Sequence, residues 1–147
     1  MNHKMNPDFN TIDWKKIDDI LAKVGWSERK PEDIRSSFEK SSYSVFLYDD
    51  AGEVIGFGRT VDDGKYYAML ADIVVDPDYQ GEGMGSFIVD TLKDKLTNYH
   101  FITLTAAPGK GDFYKAIGWQ QQSTAYIWPL SEKQVRQHVV KEDKAAE

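Results

Sequence analysis

The sequence predicts an α/β fold, a mixed central sheet of about six or seven strands with helices on both faces. One observation is a β-branched run at residues 70–75, followed by a glycine-rich connection and an amphipathic helix. A second is a pair of strand-like runs around a turn at residues 49–52, which predicts a β-hairpin. A third is the pair of helical patterns before residue 40. Strands and helices that alternate in this way are typical of α/β proteins.

The N-terminal third predicts two helices. Asp13 is a suitable N-cap for a helix that begins at Trp14, and Gly25 ends that helix. Pro31 is suited to the first position of a second helix, which extends to residues 38–39. Residues 43–48 and 53–60 then form the two strands of the hairpin.

The central stretch predicts a strand, a glycine loop and a helix. We expect a strand over residues 66–75, because proline and aspartate at 76–78 cannot continue a central strand. The helix that follows places Met84, Ile88, Leu92 and Leu96 on one face. A further strand at 101–105 completes a βαβ unit, so these two strands should be parallel.

The C-terminal part predicts a short helix, strand material and a final helix. Asp112 is a suitable N-cap for a short helix that carries Tyr114. Residues 119–128 are expected to supply strand material, and residues 131–140 to form a helix.

Length and composition favour a single domain over residues 1–147, with a flexible or weakly strand-forming segment at 1–10 and a flexible segment at 141–147. A hydrophobic share of 41% and a charged share of 29% are typical of a soluble globular protein. The net charge of −6 argues against nucleic acid or an anionic membrane as the partner. No apolar run approaches the length of a membrane span, and the first ten residues are polar. We therefore expect a cytoplasmic location.

The chain contains no cysteine, which excludes disulfides, zinc–thiolate sites and a thiol nucleophile. Its three histidines, His3, His100 and His138, are far apart in the sequence. We expect no metal site.

The glycine loop is the strongest functional signal from the residues themselves. Gly81, Gly83 and Gly85 precede a helix whose first turn carries unpaired N–H groups and a partial positive charge. The loop is therefore interpreted as a phosphate-binding site, and a plain strand-to-helix connection is the alternative. Two nucleotide motifs fail: Leu104 replaces the first glycine of a Walker loop, and Ser86 replaces the last glycine of a dinucleotide fingerprint.

Two motifs resemble those of a known family. Gln80-x-x-Gly83-x-Gly85, directly after Val-Asp-Pro, resembles the acetyl-coenzyme A signature of the GCN5-related N-acetyltransferases, or GNAT family. Residues 113–119, Phe-Tyr-Lys-Ala-Ile-Gly-Trp, resemble the family's second landmark, Phe-Tyr-x-x-x-Gly-Phe. The resemblance covers roughly residues 45–128 and includes both motifs in the family's order.

The resemblance implies how the cofactor binds. In this family two adjacent parallel strands splay apart, the pantetheine arm of acetyl-coenzyme A fills the gap, and the glycine loop holds the pyrophosphate. The implied cofactor-binding residues are Ile73, Val74, Val75, Gln80, Gly81, Glu82, Gly83, Met84, Gly85, Ser86 and Tyr114. We expect Glu82, an acid within this loop, to point toward solvent.

The resemblance also implies catalytic and acceptor residues. Tyr114 matches the family's general acid, which donates a proton to the leaving thiolate. Asp72 is interpreted either as a base or as a structural residue that caps backbone groups or pairs with Arg59, because a carboxylate in an apolar strand needs a partner. Candidate acceptor contacts are Trp26, Arg29, Tyr66 and Tyr67.

The function that follows is direct, one-step transfer of an acetyl group from acetyl-coenzyme A to a primary amine of a small molecule, or to a protein amine. The alternative from another class is a non-catalytic sensor or scaffold that binds coenzyme A or an acyl-coenzyme A. A longer acyl donor and a homodimer also stay open.

Overall fold

The computed structural model describes residues 1–141, so the segment at 141–147 that we expected to be flexible lies, from residue 142 on, outside the described residues. The chain divides into two compact units, residues 1–105 and 106–147, and each is described by itself. The single domain expected over residues 1–147 stays a prediction.

The first unit contains five strands and three α-helices. Their bounds are β1 Asn2–Met5, α1 Trp14–Lys23, α2 Pro31–Glu39, β2 Ser44–Tyr48, β3 Val54–Asp62, β4 Tyr67–Val75, α3 Met84–Lys95 and β5 Phe101–Leu104. The Asp13 side chain accepts a hydrogen bond from the Lys16 backbone N–H, as an N-cap should, and Pro31 begins α2.

The strands form one mixed sheet in the order β1-β2-β3-β4-β5, in which β4 and β5 are parallel and the other neighbours antiparallel. The expected count of six or seven strands is wrong, since the sheet of the described residues has five. Residues 119–128, which we expected to be strand material, adopt no strand. Tyr126 and Trp128 in that segment are 97% and 86% exposed, so the segment lacks the buried face that stabilises a strand.

Helices α1 and α2 cover one face of the sheet. Their apolar sides pack on β2, β3 and β4 and enclose the main hydrophobic core. The core residues are Ile12, Trp14, Ile17, Ile20, Leu21, Ile34, Phe38, Phe46, Val54, Phe57 and Val74. This core anchors the carboxyl end of β4, from which the glycine loop leaves.

Helix α3 covers the other face, and a glycine lets it approach closely. A Cβ atom on Gly58 of β3 would lie 2.6 Å from Ile88 Cγ2, 2.8 Å from Ile73 Cδ1 and 3.1 Å from Leu92 Cδ1. These three side chains are branched and packed in the interior, so they cannot move aside freely. The glycine therefore sets the distance between α3 and the sheet.

We expect Gly58→Ala to lower the free energy of unfolding by about 1–3 kcal/mol, because the added methyl group overpacks this contact. Urea denaturation measures the change. Gly111→Ala is the matched control, because nothing lies within 4 Å of a Cβ there. Equal stability of the two variants would contradict the prediction.

Strand β4 contains a bulge at Asp72. Arg59 lies opposite Ala71 and Phe57 lies opposite Val74, so the register shifts between these pairs. Asp72 has a φ of 53°, a left-handed conformation that is unusual for a residue other than glycine. The strict alternation of side chains assumed for this strand therefore fails here: residues 71 and 74 share a face although they are three positions apart.

The parallel pairing of β4 with β5 runs from Tyr67 opposite Phe101 to Leu70 opposite Leu104. Beyond Leu70, β4 continues to Val75, and no described strand pairs with it on that side. The backbone of the carboxyl half of β4 is thus open where the resemblance implied two splayed strands.

The described part of the second unit, residues 106–141, contains two short helices, α4 Gly111–Ala116 and α5 Glu132–His138. Ser131 caps α5 by accepting a hydrogen bond from the Gln134 backbone N–H. Over residues 1–141 of the chain, no helix has the length and apolar character needed to cross a bilayer.

Candidate active site

The glycine loop lies between the carboxyl end of β4 and the first turn of α3. Gly81 and Gly83 have φ values of 88° and 78°, and no atom lies within 4 Å of a Cβ placed on either residue. Gly83 is the N-cap of α3 and supplies no side-chain hydrogen bond. The space beside these two glycines is therefore open, and the first turn of a helix carries unpaired N–H groups, an arrangement that suits a phosphate.

The loop begins at a buried carboxylate. Asp76 is 2% exposed and accepts hydrogen bonds from the Asp78 backbone N–H, at 3.1 Å, and from Lys23 Nζ of α1, at 3.2 Å. The same hydrogen bond raises the pKa of Lys23. Sequence reasoning missed this pair, because 53 positions separate the two residues and Lys23 belongs to no motif. Tyr79 adds a second anchor by donating to Asp49 at 3.3 Å.

The remaining residues of the signature each have a local role. Gln80 Nε2 lies 3.5 Å from the Val75 carbonyl oxygen, a long contact that ties the loop to β4. Ser86 Oγ donates to the Gly83 carbonyl oxygen at 3.0 Å, and Met84 is buried beneath the first turn. Glu82 is exposed, so water can solvate its charge.

The carboxyl end of β4 offers backbone groups rather than side chains. Val74 is buried in the core below α1 and α2, and Ile73 packs toward the other face near Gly58. With both side chains occupied, the groups left for a ligand are the N–H and C=O groups on the open edge of residues 71–75. A pantetheine arm, which carries amide groups, can pair with such an edge as an added strand does.

Asp72 is held by two arginines. Its Oδ1 accepts from Arg29 Nη1 at 2.8 Å and its Oδ2 from Arg59 Nε at 2.7 Å. The Asp72 side chain is 5% exposed, and those of Arg59 and Arg29 are 15% and 40% exposed. With a guanidinium on each oxygen, this carboxylate is poorly placed to accept a proton from a substrate. The structure thus contains the pairing with Arg59 that was the structural alternative.

The connection between α1 and α2 reaches the same bulge. The Arg29 guanidinium lies over the ring of Trp26 at 5.3 Å, and that of Arg59 lies over Phe38 at 5.7 Å. Two of the four candidate acceptor residues, Trp26 and Arg29, therefore lie together beside Asp72.

Tyr66 and Tyr67 lie at the other end of β4. With His100 and Phe101 they line an open concavity of about 460 Å³. Val75 lies eight positions after Tyr67, which is about 26 Å along a strand. The structure therefore does not bring these tyrosines to the glycine loop.

Tyr114 lies in α4 of the second unit. Its ring packs edge-on against Phe113 at 4.9 Å and lies 6.3 Å from the ring of Trp119. Burial raises the pKa of its phenol above the ordinary value of 10.0. Tyr114 is consequently protonated at neutral pH, the form that a general acid requires.

Metal-ligating residues do not cluster in the part of the chain that the structure describes: residues 1–141 contain no group of three or more histidine, aspartate or glutamate side chains able to hold an ion.

Comparison with a family model matches residues 20–127 to the acetyltransferase (GNAT) domain. An uncharacterised N-acetyltransferase, ycf52, of Pyropia yezoensis is 29% identical over 113 residues, which cover 74% of this chain and 65% of that protein. Serotonin N-acetyltransferase 2, chloroplastic, of Oryza sativa subsp. japonica is 31% identical over 120 residues, which cover 78% of this chain and 60% of that protein. The chain thus spans less than two thirds of the length of these relatives.

The fold is also found among solved structures. A GNAT-family acetyltransferase of Streptococcus pneumoniae superposes with a TM-score of 0.69 at 23% identity, over 89% of this chain and 98% of that one. At this level of identity the likeness shows the fold alone.

Proposed function

The chain belongs to the GNAT acetyltransferase family, and on that premise we propose that it transfers an acetyl group directly from acetyl-coenzyme A to a primary amine of a small molecule. The observation that carries the proposal is the adjacency of two features. The open edge of β4 at residues 71–75 leads within a few residues into a glycine loop at the N-terminus of α3. One elongated ligand with a pyrophosphate at one end and amides along its arm fits both.

The residues present fit this co-substrate. Gly81 and Gly83 leave open the space that a pyrophosphate needs, and the first turn of α3 supplies N–H donors. The backbone of Ile73, Val74 and Val75 pairs with the arm, and Gln80 steadies the loop. When bound, acetyl-coenzyme A supplies the activated acetyl group as a thioester.

In the proposed step the acceptor nitrogen forms a bond to the acetyl carbon and the carbon–sulfur bond breaks. Tyr114 donates its phenolic proton to the departing sulfur, and the amine releases a proton to water. Asp72 is not assigned as the base, because both of its oxygens already accept hydrogen bonds from arginines. The name of the rice relative, a serotonin N-acetyltransferase, supports a small-molecule amine as the acceptor.

We expect Tyr114→Phe to lower kcat on amine acceptors by about 10²-fold or more, since it removes the proton donor and keeps the ring. The assay follows release of free thiol from acetyl-coenzyme A across a panel of amines, with calorimetry for the affinity of the co-substrate. Tyr126→Phe is the control, because Tyr126 is 97% exposed.

Three outcomes of this experiment distinguish an enzyme from a non-catalytic sensor or scaffold. A loss of kcat with unchanged affinity supports the enzyme and the role of Tyr114. Binding of acetyl-coenzyme A without turnover on any amine would favour a sensor or scaffold. No binding at all would contradict both functions.

The remaining parts of the proposal concern location and partners. We propose a cytoplasmic protein that needs neither a nucleic acid nor a membrane, which the net charge of −6 supports. A homodimer stays an open alternative that sedimentation of the purified chain decides.

A further inference from the structure

The cluster of Arg29, Arg59 and Asp72 carries an excess positive charge. Two guanidinium groups share one carboxylate, and within residues 1–141 no second carboxylate lies within 4.0 Å of either arginine. The local charge is therefore +1 in a chain whose net charge is −6. A partly buried positive charge of this kind is stabilised by an anionic ligand.

The arginines also have hydrogen-bond donors to spare. Among the described residues, Arg29 donates to protein through Nη1 alone, and Arg59 donates through Nε to Asp72 and through Nη1, at 3.4 Å, to Ser41. Within the described residues the other guanidinium N–H groups have no protein acceptor, and the Arg29 side chain is 40% exposed. Spare N–H donors in a planar fork match the two oxygens of a carboxylate.

An apolar surface continues from this cluster along the same face of the sheet. It consists of Val61, Tyr67, Met69 and Phe101, and we call it the apolar stripe. Val61 lies opposite Met69, and Tyr67 lies opposite Phe101, so all four share one face. Their side chains are exposed, from 37% for Met69 to 64% for Tyr67.

The pairing of β3 with β4 places the apolar stripe next to Arg59. Arg59 lies opposite Ala71 and Val61 lies opposite Met69, so Arg59 and Val61 are alternate residues on one face of β3. The Cα atoms of alternate residues in a strand are about 7 Å apart, a distance that one small molecule can span. The charge and the apolar surface can therefore contact one small molecule at the same time.

We propose that Arg29 and Arg59 bind a carboxylate of the acceptor and that the apolar stripe binds its side group. The acceptor is then an amino acid with an apolar or aromatic side chain, acetylated on its α-amine, rather than an arylalkylamine without a carboxylate. The inference rests on the proposed acetyl transfer for its substrate, but the anion-binding site is testable without turnover. Arg29 and Arg59 bind the carboxylate, and Arg59 also positions the bulge through Asp72.

The test compares three acceptors that share an indole ring and a primary amine: L-tryptophan, L-tryptophanamide and tryptamine. Only the first carries a carboxylate. We expect Arg29→Gln to raise KM for L-tryptophan by about 10- to 100-fold, the range for loss of a charge-assisted hydrogen bond. KM for the amide and for tryptamine should rise less, so that the ratio of KM for L-tryptophan to KM for tryptamine increases by about tenfold or more.

Arg29→Gln should fold, because Asp72 keeps its bond to Arg59. The matched control is Arg35→Gln on α2, since Arg35 also pairs with a carboxylate and its side chain is 37% exposed against 40% for Arg29. Arg29→Lys is expected to bind L-tryptophan more tightly than Arg29→Gln but less tightly than the native protein. Lysine keeps the positive charge but lacks the planar pair of N–H donors of a guanidinium.

Calorimetry with N-acetyl-L-tryptophan and N-acetyltryptamine separates this inference from the proposed function. Tighter binding of the carboxylate-bearing ligand, lost in Arg29→Gln and kept in Arg35→Gln, supports the anion site even if no amine is acetylated. Equal binding of the two ligands by the native protein, or an unchanged preference in Arg29→Gln, would overturn it. Turnover of tryptamine with no preference for L-tryptophan would overturn the inference and leave the proposed function intact.

Discussion

Replacing Asp72 with alanine is expected to lower the free energy of unfolding by about 3 kcal/mol, because removal of one partner from a buried ion pair leaves its charge uncompensated. Asp72 is the only carboxylate among the described residues that contacts Arg59, which is 15% exposed. Alanine also fits the left-handed backbone at this position, φ 53°, less well than aspartate does. Both effects act on the bulge in the pairing of β4 with β3.

Urea denaturation of Asp72→Ala and Asp72→Asn measures the effect. Asparagine tolerates the left-handed conformation and still accepts a hydrogen bond. Asp72→Asn should therefore lower the free energy of unfolding less than Asp72→Ala does. Asp19→Ala removes an exposed pair with Lys15 and should change stability by less than about 1 kcal/mol. An Asp72→Ala protein with native stability but no activity would contradict a structural role for Asp72 and would support a role as the general base.

The two possible roles of Asp72 illustrate what the sequence could predict. A lone acid in an apolar strand must have a partner, so pairing with Arg59, on the neighbouring hairpin strand, was open to sequence reasoning. The contact with Arg29 was not, because it depends on how the connection between α1 and α2 folds back over the sheet. The bulge was equally hidden, since neither a glycine nor a proline marks it in β4.

The glycine loop was predictable because its signal is local. The β-branched strand, the Asp-Pro stop, the glycines and the amphipathic helix follow one another within about 25 residues, and each obeys short-range rules. What holds the loop was not predictable. The contact of Lys23 with Asp76 joins α1 to the end of β4 across 53 positions, and nothing in either neighbourhood distinguishes this lysine from others.

The predicted number of strands failed for a related reason. Residues 119–128 contain the aromatic residues that strands favour, but a strand forms only where a neighbour pairs with it and a core covers one face. In the structure Tyr126 and Trp128 are almost fully exposed. A prediction from composition alone therefore gave too many strands for the sheet.

Gly83→Ala is expected to weaken binding of acetyl-coenzyme A by about tenfold or more. Gly83 has a φ of 78°, so alanine at this position lowers the stability of the fold by roughly 1–2 kcal/mol, a cost that is the same with and without ligand. A methyl group would also enter the open space in front of the α3 N-terminus, where a pyrophosphate must approach the backbone. A loss of about 1.4 kcal/mol in binding corresponds to a tenfold rise in Kd.

The matched control is Gly64→Ala in the turn between β3 and β4. Gly64 has a φ of 77°, and nothing lies within 4 Å of a Cβ there either, so backbone strain is the same in both variants. Both should therefore lose similar stability, and only Gly83→Ala should lose affinity for acetyl-coenzyme A. Acetyl-pantetheine, which lacks the pyrophosphate, should bind the native protein and Gly83→Ala equally. If Gly64→Ala weakened binding as much, strain in the fold and not contact with the phosphate would account for the loss, and the glycine loop would be a plain connection between a strand and a helix.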